Sequence, residues 1–292
     1  MFCTMEAAVK ALPPGMPITT VLFFRYLFGT VVIAPAFMSA RKSLDRKLLS
    51  FGVLRGILAM ASSGCFFSAI RLIPLAEAST LLFFSPIFSL FLSRLILKEH
   101  FSRYCWGSVA LSASGVLVIF LSLQEPTGST SYLGVALSLC SAFIFSLMLV
   151  VSKIQASHPV KGELGADMTV VGVQSLTGLL ITALLFSGAG DEALPNMAPL
   201  MKLLVAGAAG TAGLILLAMS FRKGEMSNVS LYQFSGLLWA TAYGYFLFGE
   251  NPSLPLFIGM GLITSAIVFK DFAIPRIETR VHGKQHLSCN GD

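Results

Sequence analysis

Long apolar segments separated by short polar turns run through almost the whole chain. Nine of them extend over about 19 to 25 residues, enough for a helix to cross a hydrocarbon core of about 30 Å. The pattern therefore predicts an all-α integral membrane protein. The predicted membrane-crossing segments are Ile18–Ser39, Leu48–Leu72, Leu75–Leu97, Tyr104–Leu123, Tyr132–Lys153, Met168–Phe186, Leu200–Phe221, Met226–Phe248 and Leu254–Ile274.

The composition argues against a soluble domain and against a β-barrel. Charged residues make up 12% of the chain and the mean hydropathy is +0.80, whereas soluble proteins carry about 25% charged residues. Transmembrane barrel strands are about ten residues long and alternate polar with apolar positions. The apolar segments here are continuous and about twice that length, so helices are expected.

The first twelve residues, Met1–Leu12, are apolar but reach only about 18 Å as a helix. They are too short for a secretory signal peptide with its own basic region and cleavage site. Two interpretations stay open at this point. The segment is either a re-entrant or interfacial helix, or the second half of a tenth crossing segment.

The basic residues predict the orientation in the membrane. Fourteen of the 20 Lys and Arg residues fall in turns on one side and in the tail, and three fall on the other side. The basic side is expected to be cytoplasmic, so the C-terminal tail of residues 275–292 is expected in the cytoplasm. The membrane itself is expected to be the inner membrane of the cell. The net charge of +6 is accounted for by this bias, and no nucleic-acid partner is predicted.

Three parts of the chain resemble parts about 150 residues later. Residues 74–86 lie over 224–236, residues 97–100 lie over 248–251 with a one-residue slip, and residues 21–29 lie over 170–178. The last overlay sets Arg25 opposite Gln174. The first sets Pro86 opposite Gly236.

The interval between the copies contains five crossing segments, so the second copy enters the membrane from the opposite side. This is the inverted repeat of many secondary transporters, and it favours Met1–Leu12 as the remnant of a tenth segment. The predicted organisation is a first repeat at 1–123, an outward linker at 124–131, a second repeat at 132–274 and a basic tail at 275–292. It amounts to nine full segments plus a half helix in a ten-segment plan.

Short motifs occur in these copies: Phe24–Tyr26, Pro74–Ala78, Ser85–Pro86, Leu97–Glu99, Trp106–Gly107, Gly115, Phe248–Glu250 and Gly259–Ile263. Together they resemble the EamA-type unit of the drug/metabolite transporter superfamily, and Gly236 departs from the proline usual at its position. The resemblance implies a secondary transporter of small organic solutes in the inner membrane.

Two polar side chains inside crossing segments are candidate substrate ligands. Arg25 lies about 10 Å inside its segment, where a charge is expensive and usually faces the bundle interior. It is either a counter-charge for substrate or a structural residue that reaches the interface. Gln174 at the equivalent position either binds substrate or bridges helices.

The segment Met226–Phe248 is rich in aromatic and amide side chains. Tyr232, Trp239 and Tyr243 are seven and four residues apart and share one helix face, with Gln233 beside them. They form either one wall of a substrate pocket or a packed aromatic seam. In the matching segment, Phe83 is a further candidate contact, and Pro86 is either a hinge or a static bend.

The function predicted from these features is alternating-access transport of a small organic solute, such as an amino acid, vitamin, nucleoside-like metabolite or drug. Its partners are that solute and the lipid bilayer. A non-transporting membrane subunit and, less favoured, an intramembrane lipid-modifying enzyme are the alternatives. No Walker A sequence, catalytic constellation, metal cluster or cofactor site is identified, and no deeply placed acid is assigned as a proton carrier.

Overall fold

Helices account for nearly all of the residues that the computed structural model describes, and no strand occurs among them. The helices are α1 (Phe2–Lys10), α2 (Ile18–Ala40), α3 (Arg46–Ala69), α4 (Leu75–Leu82), α5 (Ser85–Leu92), α6 (Arg103–Leu123), α7 (Tyr132–Ala156), α8 (Glu163–Ser187), α9 (Met197–Lys223), α10 (Gly236–Phe248) and α11 (Leu254–Val268). The described residues are 1–13, 15–40, 45–70, 72–73, 75–98, 103–123, 131–158, 163–187, 196–224, 229, 232–233, 235–249 and 254–268.

Six helical stretches are long and apolar enough to cross a membrane, which confirms the all-α membrane class. α6 also follows its predicted segment, while α10 and α11 cover parts of theirs. Most of the predicted linker at 124–131 and the whole tail at 275–292 lie outside the described residues. The six stretches are Ile18–Ala40, Arg46–Ala69, Thr80–Leu97, Tyr132–Ala156, Leu164–Phe186 and Met197–Lys223.

The predicted continuous segment Leu75–Leu97 is divided into α4 and α5, which corrects the sequence prediction. The amides of Phe83 and Phe84 donate to the carbonyls three residues earlier, at 3.1 Å each, so the chain tightens there. Pro86 follows in the first turn of α5 and is buried. Because proline has no N–H, it cannot continue the hydrogen bonding of α4, and the interruption falls just before it.

The second central segment has the same interruption. α10 begins at Gly236, and the Ser235 amide donates to the Tyr232 carbonyl at 3.0 Å, again three residues back. After α5, the chain makes one π-helical turn and reaches Lys98 with a φ of 55°. α10 ends at Gly249 with a φ of 63°. Each central segment is therefore interrupted just before α5 or α10 and ends at a left-handed residue.

Several helix contacts recur when each helix is exchanged for its counterpart in the other half of the chain. The counterparts are α1 with α7, α2 with α8, α3 with α9, α4–α5 with α10, and α6 with α11. α2 packs on α8 and α6 packs on α11, each on its own counterpart. The α3–α7 contact corresponds to α9–α1, α3–α8 to α9–α2, and α5–α7 to α10–α1. These contacts are thus common to the two halves of the chain.

Glycines allow close crossings of α2 with α9 and of α3 with α8. A Cβ atom on Gly207 of α9 would lie 2.8 Å from the Arg25 carbonyl oxygen of α2. A Cβ atom on Gly56 of α3 would lie 2.6 Å from Cβ of Thr177 in α8. Real Cβ atoms do not approach other atoms this closely, so only glycine permits these crossings. α1 also packs on α9 and on α10, so α1 and α2 share α9 as a neighbour.

Candidate functional site

The half-length helix α1 packs inside the bundle. The Cys3 thiol donates to the Gly236 carbonyl at 3.1 Å, and the hydroxyl oxygens of Thr4 and Tyr243 are 2.9 Å apart. At the other end of α1, the Lys10 ammonium lies 4.7 Å from the centre of the Phe248 ring. α1 therefore runs parallel to α10 and packs along it.

The two interrupted central helices approach each other where they break. A Cβ atom on Gly236 would lie 3.4 Å from the Phe83 ring and 3.4 Å from the Cys3 sulfur. Phe83 itself lies in the turn between α4 and α5 and is half-buried. The absence of a side chain at Gly236 thus admits one group from each of two neighbouring helices, which gives a packing reason for the glycine opposite Pro86.

Arg25 points to the same interior region from α2. Its Nη1 donates to Ser63 Oγ of α3 at 3.2 Å, and its guanidinium carbon lies 5.3 Å from the Tyr26 ring centre. Its Nε would be 3.8 Å from a Cβ atom on Gly210 of α9. The side chain is half-buried. Arg25 is thus held among three helices while part of its surface stays accessible.

Glu6 of α1 is an acidic group in this region that sequence analysis left unassigned. Glu6 is half-buried and lies close enough to Arg25 for their charges to interact. Among the described residues, no ion pair within 4.0 Å joins the two groups. Two half-buried residues of opposite charge therefore lie near each other without forming an ion pair.

Gln174 differs from its repeat counterpart Arg25. It is fully buried in α8, and its Nε2 donates to the Met148 sulfur at 3.7 Å. Its Oε1 has no hydrogen-bond partner within the described part of the chain. The two equivalent positions are therefore in different environments, since Arg25 keeps an accessible surface and Gln174 lies within a helix interface.

The aromatic and amide residues of the second central segment divide into two groups. Tyr243 turns toward α1 and contacts Thr4. Trp239 is 64% exposed and Tyr232 is 49% exposed. The Gln233 amide nitrogen is buried and has no hydrogen-bond partner among the described residues. Tyr243 thus links this segment to α1.

A buried charged cluster joins α7, α8 and α9, and sequence analysis missed it. Arg222 donates to both carboxylate oxygens of Asp167, at 2.6 and 3.1 Å, and Gln155 Nε2 donates to Asp167 at 3.0 Å. The predicted segment began at Met168, which left Asp167 in a turn. α8 in fact begins at Glu163, so Asp167 lies inside the helix and is 1% exposed.

Arg55 of α3 extends this cluster. Its Nη1 donates to Gln155 Oε1 at 2.9 Å, while its Nε and Nη2 are buried and have no partner among the described residues. Nearby, the Lys153 ammonium donates to the carbonyls of Phe221 and Gly224, at 3.0 and 2.6 Å. Arg55 stands out in the sequence as a charge inside an apolar segment, but its partners are distant in the chain.

No group of three or more His, Cys, Asp or Glu side chains suited to a metal ion occurs in the described ranges. The polar groups of the interior instead form two sets with different character. The Asp167 carboxylate is hydrogen-bonded by Arg222 and Gln155, whereas Glu6 and Arg25 are half-buried and no ion pair within 4.0 Å joins them in the described part of the chain. The second set is the candidate binding site.

Comparison with known proteins gives a match over nearly the whole chain. The sequence profile described as the EamA-like transporter family matches residues 2–121 and 132–269. A solved crystal structure superposes on the fold with a TM-score of 0.77 at 17% sequence identity, covering 95% of this chain and 94% of the other. That likeness concerns the fold alone.

Curated relatives are named as transporters of different small molecules. The pseudopaline exporter CntI of Pseudomonas aeruginosa is 26% identical over 270 residues, covering 91% of this chain and 90% of the exporter. The riboflavin transporter of Vibrio cholerae is 25% identical, covering 87% of this chain and 83% of that protein. An S-adenosylmethionine uptake transporter of Rickettsia felis is 22% identical, covering 91% and 86%.

Proposed function

This chain belongs to the EamA-like transporter family, and we propose that it is a secondary transporter that moves a small organic solute across the inner membrane by alternating access. The family and the named relatives are transporters, not enzymes. Those relatives carry chemically different molecules, so the substrate of this chain has to be argued from its own site.

The observation that carries the proposal is the exchange of helix contacts between the two halves of the chain. The halves of an inverted repeat fold alike but face opposite sides of the membrane. When the two halves exchange conformations, a central site opens to the other side. The family profile matches 2–121 and 132–269 separately, which supports repeats at 1–123 and 132–274. Ten crossing segments and a cytoplasmic C-terminus complete the proposed plan.

The proposed site lies where α1, α2 and the two interrupted central helices meet. Discontinuous helices at a repeat interface are a common basis for transporter sites, because their free backbone groups face a cavity. Arg25, Phe83 and Tyr243 are the proposed contacts around this junction, and Pro86 is the proposed hinge. The remaining proposed contacts belong to the second half of the chain and are Gln174, Tyr232, Gln233 and Trp239.

Transport by purified protein in proteoliposomes tests the proposal. The test solutes represent the four classes: radiolabelled α-amino acids, riboflavin, a nucleoside and a cationic drug. We expect saturable flux of at least one class that is absent from protein-free liposomes and from liposomes with the Arg25→Gln variant. The Arg94→Gln variant is the matched control, because Arg94 is exposed on the bundle surface. If no class moves faster than in protein-free liposomes, the proposed function is wrong.

A further inference from the structure

We propose that Glu6 and Arg25 form a two-charge site that recognises a solute carrying an anionic and a cationic group together, as an α-amino acid zwitterion does. The inference rests on the proposed transport function and names the substrate class of that site. Arg25 would bind the carboxylate of the solute, and Glu6 would bind its ammonium group.

The two residues lie near the connected ends of α1 and α2. Arg25 follows the first residue of α2 by seven positions, and Glu6 precedes the last residue of α1 by four, which corresponds to about 10 Å and 6 Å of helix. The end of α1 and the start of α2 are joined by residues 11–17. Met5 and Arg25 both approach Gly210 of α9, at 2.9 and 3.8 Å from a Cβ atom built there. Glycine at position 210 thus lets both helices approach α9 beside the site.

The Glu6 and Arg25 pair is open, in contrast to the closed pair elsewhere in the bundle. Arg222 and Asp167 are joined by two hydrogen bonds, and Asp167 is 1% exposed. Such a pair satisfies itself. Glu6 and Arg25 interact through space, both residues are half-buried, and no ion pair within 4.0 Å joins them among the described residues. The two groups do not satisfy each other, so each is available to an oppositely charged group of a ligand.

The partners of Arg25 leave most of its donors for a ligand. One of its five N–H groups is used by the Ser63 hydroxyl, and the planar guanidinium suits the two oxygens of a carboxylate. Nearby, the hydroxyls of Thr4 and Tyr243 add neutral polar groups on the α1 side. The site therefore offers one cation, one anion and uncharged hydrogen-bonding groups.

Charge balance is the reason for this site to prefer a zwitterion over a solute with a single charge. A charge inside the membrane is stabilised only when it is paired or hydrated. A zwitterion compensates both Glu6 and Arg25, whereas a solute with one charge desolvates the site and leaves the other protein charge unpaired. Hydrogen bonds to charged groups contribute about 1.5–3 kcal/mol, so loss of either ionic contact should weaken binding about tenfold or more.

Matched ligands with one charge removed test this inference. The probes are alanine, leucine, methionine and phenylalanine, their methyl esters, which keep only the ammonium group, and their N-acetyl derivatives, which keep only the carboxylate. Binding to the full chain in nanodiscs is measured by equilibrium dialysis at pH 7. We expect at least one amino acid to bind tenfold or more tightly than its ester and its N-acetyl derivative.

Variants separate recognition from a structural role. Glu6→Gln should abolish the advantage of the amino acid over its N-acetyl derivative, and Arg25→Gln should abolish its advantage over the ester. Asp45→Asn and Arg94→Gln make the same chemical changes at exposed positions and should preserve both ratios; asparagine at position 45 also remains a good helix cap. A structural role for Glu6 or Arg25 would weaken all three ligands equally, and unchanged ratios in the two site variants would overturn the inference.

Failure of the inference is distinguishable from failure of the proposed function. If no amino acid binds more tightly than its single-charge derivatives, the two-charge site is wrong. Saturable flux of riboflavin, a nucleoside or a cationic drug in the same preparation would then leave transport itself standing. If no solute of any class moves, the proposed function fails first.

Discussion

Lys98 and Gly249 adopt the same left-handed backbone conformation, with φ angles of 55° and 63°, at the ends of the two interrupted central helices. They are the two residues with positive φ in the described part of the chain, and the sequence overlay sets them opposite each other. Left-handed residues are uncommon outside glycine and asparagine. Their coincidence at equivalent positions indicates that both repeats end their central helix by the same turn.

The first prediction concerns the cost of that turn. Gly249→Ala should lower the free energy of unfolding by about 1 kcal/mol, because a Cβ is unfavourable in the left-handed region. Lys98→Gly should not lower it, since Lys98 already carries that strain. Thermal unfolding of the purified protein in detergent measures both.

Nothing lies within 4 Å of a Cβ built on Gly249, so a loss there reports backbone strain and not a clash. Gly107→Ala is the control, because Gly107 is helical and has equally open surroundings. An unchanged midpoint in Gly249→Ala would contradict the assigned conformation.

The second prediction concerns the buried ion pair. Asp167→Ala should destabilise the protein by about 3–5 kcal/mol, because it leaves the Arg222 guanidinium, which is 10% exposed, without the Asp167 carboxylate. The double variant Asp167→Ala with Arg222→Leu should be less destabilised than Asp167→Ala alone, since it also removes the cation that the carboxylate compensated. Unfolding of the two single variants and the double variant measures the coupling. Strict additivity would show that the two groups do not interact.

Sequence patterning predicted the helix bounds well where hydropathy decides them. The predicted segments at Ile18–Ser39 and Tyr132–Lys153 begin at the same residues as α2 and α7. It did not predict that the segment Leu75–Leu97 is divided, because the run is apolar throughout and the break depends on where the freed backbone groups find partners. Pro86 indicated a bend, while the preceding turn at Phe83 needed the structure.

The candidate site was predicted in part. Arg25 stood out because a charge inside an apolar segment is costly. Glu6 did not, because its meaning depends on how α1 packs against α2 and α10. Asp167 was assigned to a turn because a charge ends a hydropathy window. Its partner Arg222 lies 55 residues away in the sequence, and local patterns carry no information about such a contact.

The third prediction concerns the close packing of α6 on α11. A Cβ atom on Gly115 would lie 2.7 Å from the Gly259 carbonyl oxygen and 3.0 Å from Ile263. Gly115→Ala should therefore separate the helices and cost about 1–3 kcal/mol. Gly107→Ala in the same helix should gain up to about 1 kcal/mol, because alanine is the better helix former. Equal unfolding midpoints for the two variants would contradict the packing.

The fourth prediction concerns orientation. Both ends of α7 are exposed, at Tyr132 and Ser157, and the basic-residue bias places Ser157 on the cytoplasmic side. In a cysteine-free background, Tyr132→Cys should react with a membrane-impermeant maleimide added to intact cells. Ser157→Cys should react only after the membrane is opened. The reverse pattern would invert the proposed topology.

The central claim, alternating access between two equivalent halves, is tested most directly by two distances measured in one protein. Ile96 and Leu247 are exposed residues at equivalent points of the two central helices. Spin labels at Ile96 with Ser157, and at Leu247 with Pro13, report the gaps α5–α7 and α10–α1, which exchange under the repeat.

Double electron–electron resonance in nanodiscs is recorded for both pairs, with and without a transported solute from the flux panel. The account predicts that each pair shows a short and a long distance, and that the solute shifts their populations in opposite directions. Distances that stay fixed, or that lengthen together, would contradict alternating access.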